Sequence, residues 1–450
     1  MTKIKLSRYI KKVFETPPDT GSWFGYYNYD TLNYNQSKLL SNRTLNDARK
    51  IEQGMTIDVG YYDIPSGNWH RLGTSDSYNW PQGAMLQWLP GIGNENKVIF
   101  NTSNGIHNIA KIVNIETQEE KTINWSIYGL TPDGKKSITL NFERSHWCRA
   151  YHYESIANEQ YNVRVAEDDG VFEIDLENNK RRRIISIQDI INSDKEEYFV
   201  SANHWIEHIM ISPSGRRFCF LHRFTIGSLD DYETRLFIAN IDGSNLQIVK
   251  GWRDYYWSHF GWNGDDEFVL YAYKSNKHQQ VLKTLNKNSD SSNKILSPLK
   301  ISSLFAKKCF HSLPQKWQSD ILNLLKGQMS FYQYYKLVND VFVLVDTWNE
   351  PIFNIDGHPS FTEDGRYMIT DSYPDRKQYR RLIIYDTITK KSLLCGKLYA
   401  GLYNKPGCCD LHPKLCKNNN YLVVDTAYDG KHHMIIFRIN WDKIKEELKK

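Results

Sequence analysis

Four histidines, His208, His259, His358 and His412, stand at one register of a repeating pattern. Each lies four residues ahead of a turn: Ser212-Pro213-Ser214-Gly215, Asn263-Gly264-Asp265, Thr362-Glu363-Asp364-Gly365, and the turn around Cys416-Lys417-Asn418. The third residue on is large and apolar each time: Ile211, Trp262, Phe361 and Leu415. A repeat that fixes one imidazole per unit brings those imidazoles to a common place. Neutral imidazole nitrogen ligates borderline divalent ions such as Mn²⁺ or Zn²⁺. The four therefore predict a divalent metal site, or a histidine-lined site for an acidic sugar. The alternative is that each ring packs singly within its own unit.

A second cluster, Arg144-Ser145-His146-Trp147-Cys148-Arg149-Ala150-Tyr151-His152-Tyr153, holds the kit for handling a carboxylate. A guanidinium grips it bidentately, and His or Tyr moves a proton beside it. The pattern reads as a loop on the histidine face. His204, spaced four from His208 in His204-Trp205-Ile206-Glu207-His208, does not follow the His-Glu-x-x-His order of a metal-binding helix, and its surroundings predict a loop entering a strand. His222-Arg223 ends the next strand and reaches the same mouth. Cys409-x-x-His412-x-x-x-Cys416 has zinc-ligand residue types but no second cysteine pair at the usual spacing. No dinucleotide fingerprint, phosphate loop or Gly-x-Ser-x-Gly elbow is present, so no nucleotide cofactor is expected.

The elements that position these residues follow from a repeat. An apolar strand, a Pro-Ser/Asp-Gly type turn and a second strand recur at Tyr128–Asn141, Met210–Leu221 and Ser360–Thr370, with weaker copies beginning at Asn33, Trp88, Trp262 and Leu415. A second hairpin follows most copies, as at Tyr61–Asn68, Ile238–Asn245 and Leu382–Thr389. Two hairpins make a four-stranded antiparallel blade, and seven copies make an all-β, seven-bladed β-propeller occupying residues 1–450 as one domain. The last unit lacks an outer strand, which a segment near Ile4–Phe14 is expected to supply, the alternative being that this segment is a helix. Two stretches break the rhythm: Glu143–Gly170 in blade three, and about 277–339 in blade five, with a short helix expected over Gln315–Lys326. The histidines fall in blades four to seven, and Tyr29, Met85 and Ile127 occupy the same register in blades one to three.

Composition sets limits on function. Aromatics make up 14% of the 450 residues, which suits a β-rich fold and the wet aromatic surfaces of carbohydrate binders. A net charge of +5 argues against nucleic acid but allows an acidic substrate. The seven cysteines are odd in number and scattered, pointing to a reducing compartment. The N-terminus has no apolar core for a signal peptide and no later stretch spans a bilayer, so the expectation is a cytoplasmic protein, with no membrane partner. Oligomeric state is not encoded in any of these features.

Several phrases resemble the seven-bladed polysaccharide lyase-like propellers, the group containing oligogalacturonate lyases and ulvan lyases. They are Asn79–Pro90, Asp168–Phe172, Ser212–Arg223, Asp356–Phe361, Thr370–Asp375 and Cys409–Pro413. The resemblance spans blades two to seven. It implies β-elimination at a uronic acid in an acidic oligosaccharide or polysaccharide: a base takes the C5 proton and the 4-linked sugar leaves. It implies carboxylate neutralisation by Arg149, Arg223 or a metal on the histidine arc, His146 or His152 as base, and Tyr153 or Tyr151 protonating the leaving oxygen. Gln82, Arg144, Tyr151, His204 and His222 are then expected to bind substrate. In oligogalacturonate lyases a Gln and two His cluster in one short motif. Here the histidines are spread one per blade with Gln82 distant in sequence, which fits a relative acting on another acidic glycan. The other classes open to such a chain are a non-catalytic glycan-binding or scaffold propeller and a metal-dependent hydrolase.

Overall fold

The computed structural model describes residues 2–45, 50–149, 153, 163–227, 229, 232–275, 330–402 and 407–450. Its strands form seven antiparallel sheets, the blades of a propeller, each running from the axis outward. The innermost strands of blades two to seven begin at Gln87, Gly129, Asn203, Tyr255, Ser360 and Lys414. Turn chemistry sets the first hairpin of each blade. Gly134, Gly215, Gly264 and Gly365 adopt φ of 67°, 78°, 77° and 70°, a left-handed conformation that costs a residue with a Cβ.

Alternation along the strands sends apolar side chains into the layers between blades. Phe218, Phe220, Leu236 and Ile238 of blade four join Ile138 and Ile174 of blade three in a continuous apolar cluster that extends into blades two and five. Phe14, Phe24, Leu39, Tyr62, Val423 and Met434 fill the layer where blade seven meets blade one. That layer closes the ring, and the closing strand is the expected one: Ile10–Glu15 pairs antiparallel with His433–Ile439, with Ile10 opposite Ile439 and Glu15 opposite Ile435. The segment does more than the sequence reading foresaw. Ile4–Leu6 adds a fifth strand to blade six against Gly396–Leu398, so the N-terminus is stitched to two blades.

Two expectations change. The blade-five interruption was expected to run to residue 339, but Ser330–Val338 is the third strand of that blade, in register with Glu267–Tyr273. The expected helix over Gln315–Lys326 lies outside the described residues. The Arg144–Tyr153 stretch, expected as a loop, begins inside a helix, α1 (Phe142–Cys148), whose first turn is capped by the Asn141 side chain accepting from the Arg144 amide. Among the described residues no helix is long and apolar enough to cross a membrane, and the described cysteines are free thiols.

Phe14 is buried in the closing layer, so Phe14→Ala removes contacts to both blades it joins. It is expected to lower unfolding free energy by roughly 3 kcal/mol, read from denaturant midpoints at unchanged slope.

Candidate active site

The histidine register is a backbone feature. Strand pairing in blade four slips between Glu207 and Met210, and in blade five between Trp257 and Phe260, so His208 and His259 sit in bulges. His208 and His412 have φ of 54° and 43°, and Met85 of blade two has 55°. A bulge re-aims a side chain out of the ladder, and here it turns the rings into the channel. Left-handed backbone at non-glycine residues is costly and gathers at functional sites.

Blade one contributes differently from expectation. Its inner strand leaves the ladder after Trp23 and returns at Leu32, and the excursion carries Tyr26 and Tyr27 to the axis. Tyr26, rather than the expected Tyr29, therefore meets the histidines: its ring centroid lies 5.0 Å from His208 and 5.1 Å from His412. Tyr29 lines a different hollow, with Gln87, Met210 and Trp262. The excursion is clasped by Asp425 of blade seven, which accepts hydrogen bonds from the Phe24 and Gly25 amides. Gly25 has φ of 118°, and a Cβ there would lie 2.4 Å from the Gln82 carbonyl oxygen, so only glycine fits.

Around these rings lies a cavity of about 410 Å³. His259, His358, His412, Asp356 and Asp410 line one side; Arg149, Arg223, Tyr232 and Tyr256 line another; Tyr26, Gln82 and His208 lie with them. The His358 and His259 centroids are 4.0 Å apart, and those of His358 and His412 are 4.4 Å apart. Each of these three rings is anchored through Nδ1. His358 Nδ1 meets Asp371 Oδ1 at 2.8 Å, His412 Nδ1 meets the Gly25 carbonyl at 2.7 Å, and His259 Nδ1 meets Asp356 Oδ1 at 3.1 Å. With Nδ1 engaged, Nε2 is the nitrogen each ring keeps for the cavity.

His358, His412 and Asp410 bring one ligand atom each within 4.8 Å of one another, a set that can hold a metal ion. Asp410, two residues before His412, was not foreseen; Arg380 holds its Oδ1 at 3.2 Å through both Nε and Nη2. Burial penalises charge on Asp371, but His358 and His412 hold its carboxyl down at about 2. Burial works against a proton on His358 as well, yet Asp371 raises its pKa. Burial and then the neighbouring His358 push His412 down to about 3. His208 stands apart from this set. Its centroid is 6.4 Å from that of His259, and its Nε2 is 3.5 Å from Glu207 Oε2.

Glu207 organises the cationic side. Its carboxylate accepts from Trp205 Nε1 at 2.7 Å, pairs with Arg223 Nη1 at 2.8 Å and stands 3.7 Å from Arg149 Nε. Both guanidinium carbons lie 4.5 Å from the ring centroid of Tyr232. Burial raises the pKa of the Tyr232 hydroxyl, and Arg223 and Arg149 more than offset it, for a net lowering. Tyr256 donates to the Tyr232 oxygen at 3.2 Å, and burial drives its own pKa well upward.

Arg149, Arg223, Gln82 and the four histidines are thus brought to one cavity. Tyr153 stands behind the lining, its hydroxyl donating to Gln82 Oε1 at 3.0 Å. Tyr151 and His152 lie outside the described residues. His146 sits on α1 and is not among the lining residues. Arg144, expected to bind substrate, is instead buried and structural. Its guanidinium donates to the carbonyls of Val163, Arg164 and His204, tying α1 to blade four.

His204 and His222 are likewise interior residues. Arg235 Nε donates to His222 Nδ1 (3.1 Å), which fixes the proton of that ring on Nε2, facing His204 Nδ1 at 3.0 Å. His204 Nε2 then donates to the Phe199 carbonyl at 2.8 Å. Cys416 does not join His412 in a zinc site. It borders a different hollow with Asp30 and Trp88, and its thiol donates to Asn418 at 2.9 Å.

Nothing in the sequence singled out Tyr26, Tyr232 or Tyr256. Glu207 adjoins His208, and Asp410 stands two residues from His412, so proximity to a register histidine was the available signal.

No family model and no curated protein matches this chain. Solved structures do. An oligogalacturonate lyase in complex with manganese is similar over 100% of both chains, at 14% identity and a TM-score of 0.59. An oligogalacturonate lyase from Vibrio parahaemolyticus is similar over 98% of both chains, at 12% identity and a TM-score of 0.55. This chain shares their seven-bladed fold.

The Arg235–His222–His204 chain needs both imidazoles neutral. Burial, with Arg235 and Arg144, lowers His204 to about 4, and burial holds His222 well below its ordinary value. As pH falls below about 6.5 the unfolded chain takes up protons that the folded chain refuses, so stability falls. His204 alone accounts for roughly 3 kcal/mol between about pH 6.5 and 4. Denaturant unfolding across that range is expected to show the loss, and His222→Gln, which removes one of the two titrating rings, to flatten the slope.

Proposed function

We propose that this protein is a carbon–oxygen lyase that cleaves uronate-containing oligosaccharides by β-elimination. The observation that carries the reading is one cavity in which Arg149 and Arg223 face a His358–His412–Asp410 set. The propeller around it is the one used by oligogalacturonate lyases, one of which was solved with manganese. A cavity of about 410 Å³ lies in the range of about 300–1,000 Å³ usual for small-ligand sites.

The chemical obstacle is the weak acidity of the proton on C5, next to the carboxylate. Removing it builds a second negative charge on a group already anionic, so a lyase must neutralise that carboxylate first. Arg149 and Arg223 offer planar donors suited to a carboxylate. Both line the cavity, with Glu207 2.8 Å from Arg223 and 3.7 Å from Arg149. Gln82 and Tyr26 bound the sugar beside them.

The His/Asp set fits a divalent cation on the chemistry of its donors. Two imidazoles have Nδ1 tied down and Nε2 left for the cavity, backed by the carboxylate and carbonyl partners usual behind metal-binding histidines. His358, His412 and Asp410 would hold Mn²⁺ or a similar ion, and when bound such an ion supplies Lewis-acid neutralisation of an anionic oxygen. Proton competition at His358, whose affinity for a proton is raised by Asp371, makes retention weaken as pH falls.

The test is ultraviolet absorbance of the unsaturated product across a panel of pectic, glucuronate- and other uronate-bearing oligosaccharides, with and without Mn²⁺. Product is expected from at least one; none from any of them, with no metal in the purified protein, overturns the reading. Arg149→Ala is expected to lower kcat/KM by about 10²–10³. His358→Ala and His412→Ala are each expected to abolish metal retention by elemental analysis, and full occupancy in both would refute the metal assignment.

A further inference from the structure

Tyr232 and Tyr256 form a pair whose surroundings drive them in opposite directions. Their hydroxyls are 3.2 Å apart at the cavity wall. Two guanidiniums lie 4.5 Å from the Tyr232 ring, and Glu207 fastens Arg223 in that position. Tyr256 is stacked on Tyr273, with ring centroids 4.9 Å apart. When two neighbouring groups are pushed apart in this way, one is set to accept a proton and the other to keep one.

Resting on the lyase reading above, we propose that Tyr232 is the base that removes the C5 proton and Tyr256 the acid that protonates the departing sugar. The Tyr232 phenolate oxygen takes H5 and becomes a phenol. The C5–H electron pair becomes the C4=C5 double bond, and the C4–O4 bond breaks with its electrons on O4. O4 takes the Tyr256 proton. The Tyr232 proton then passes across the 3.2 Å hydrogen bond to Tyr256, restoring phenolate and phenol. No other reactant is consumed.

The charged groups around Tyr232 agree with this assignment. Arg149, from the segment after α1, and Arg223, from the second strand of blade four, stabilise the phenolate, while Glu207 from the first strand opposes it. Burial of Tyr256, together with the nearby Tyr232 and Tyr273, keeps its proton on, while Arg223 works the other way. The arginines that neutralise the substrate carboxylate also prepare the base, which couples the two halves of the reaction. Of the two bases that the resemblance implied, His146 is on α1 and absent from the lining, and His152 lies outside the described residues.

Two measurements test this separately from the lyase reading. The first is an ultraviolet difference titration of the tyrosinate band, which needs no substrate. The wild type is expected to show a tyrosine ionising below the ordinary range, absent in Tyr232→Phe and shifted upward in Arg149→Gln. A wild-type curve identical to that of Tyr232→Phe overturns the proposal. The second uses whichever uronate the wild type cleaves. Tyr232→Phe is expected to lower kcat by about 10²–10⁴ with KM little changed. Tyr256→Phe is expected to lose activity on that natural linkage but retain it on a glycoside with a good leaving group. Full kcat in Tyr232→Phe, with loss in His208→Ala, would assign the base to His208 and overturn the proposal. Failure of the wild type on every uronate removes the lyase reading and the reaction steps with it, while the titration still reports the state of the hydroxyl.

Discussion

The antiparallel pairing of Ile10–Glu15 with His433–Ile439 is the interaction on which the rest of the molecule depends. Blades radiating from an axis place residues at that axis only when the ring is closed, because each inter-blade layer buries apolar surface from two neighbours. An open ring would expose Phe14, Leu39 and Val423 and free the last blade to move. Closure also aligns blade seven with blade one, and several site contacts cross that seam. Asp425 of blade seven clasps the Phe24 and Gly25 amides, and the Gly25 carbonyl anchors His412. A pairing at the rim thus fixes the tautomer of a ring at the centre.

At the axis the constraint is electrostatic. Burying this many polar groups is tolerable only when each finds a partner. Asp371 accepts from the His358 amide, the His358 ring and the Leu411 amide. Glu207 answers two arginines and a tryptophan. The outcome is a cavity with two differently charged sides, one built on imidazole and carboxylate, the other on guanidinium and phenol. Fold alone does not choose a chemistry; this division of charge is the observation behind the anionic substrate we propose.

The fold was legible in the sequence because its signals are local. Turn glycines such as Gly215 and Gly365, alternating apolar residues and a repeating hairpin length need no knowledge of distant contacts. The site was legible only in part. The histidines were visible because a repeat fixes their register, and Arg149 because it lies in a dense cluster of functional groups. The same density misled at Arg144, which faces inward to cap carbonyls of Val163, Arg164 and His204. His204 and His222 resembled site residues by type, and burial made them a neutral interior chain.

By itself, then, the sequence determined the blade count and the four-histidine register, since both are written in short-range periodicity and turn chemistry. Tertiary structure decided which side chains share the cavity. Tyr26 enters through an excursion of blade one, Tyr232 from beyond the second strand of blade four, and Tyr256 from the next blade. Their partners, Glu207 and the two arginines, come from different segments again. Spacing along a chain cannot report such meetings, because a pKa or a ligand set depends on distances of a few ångströms between residues that only the closed ring brings together.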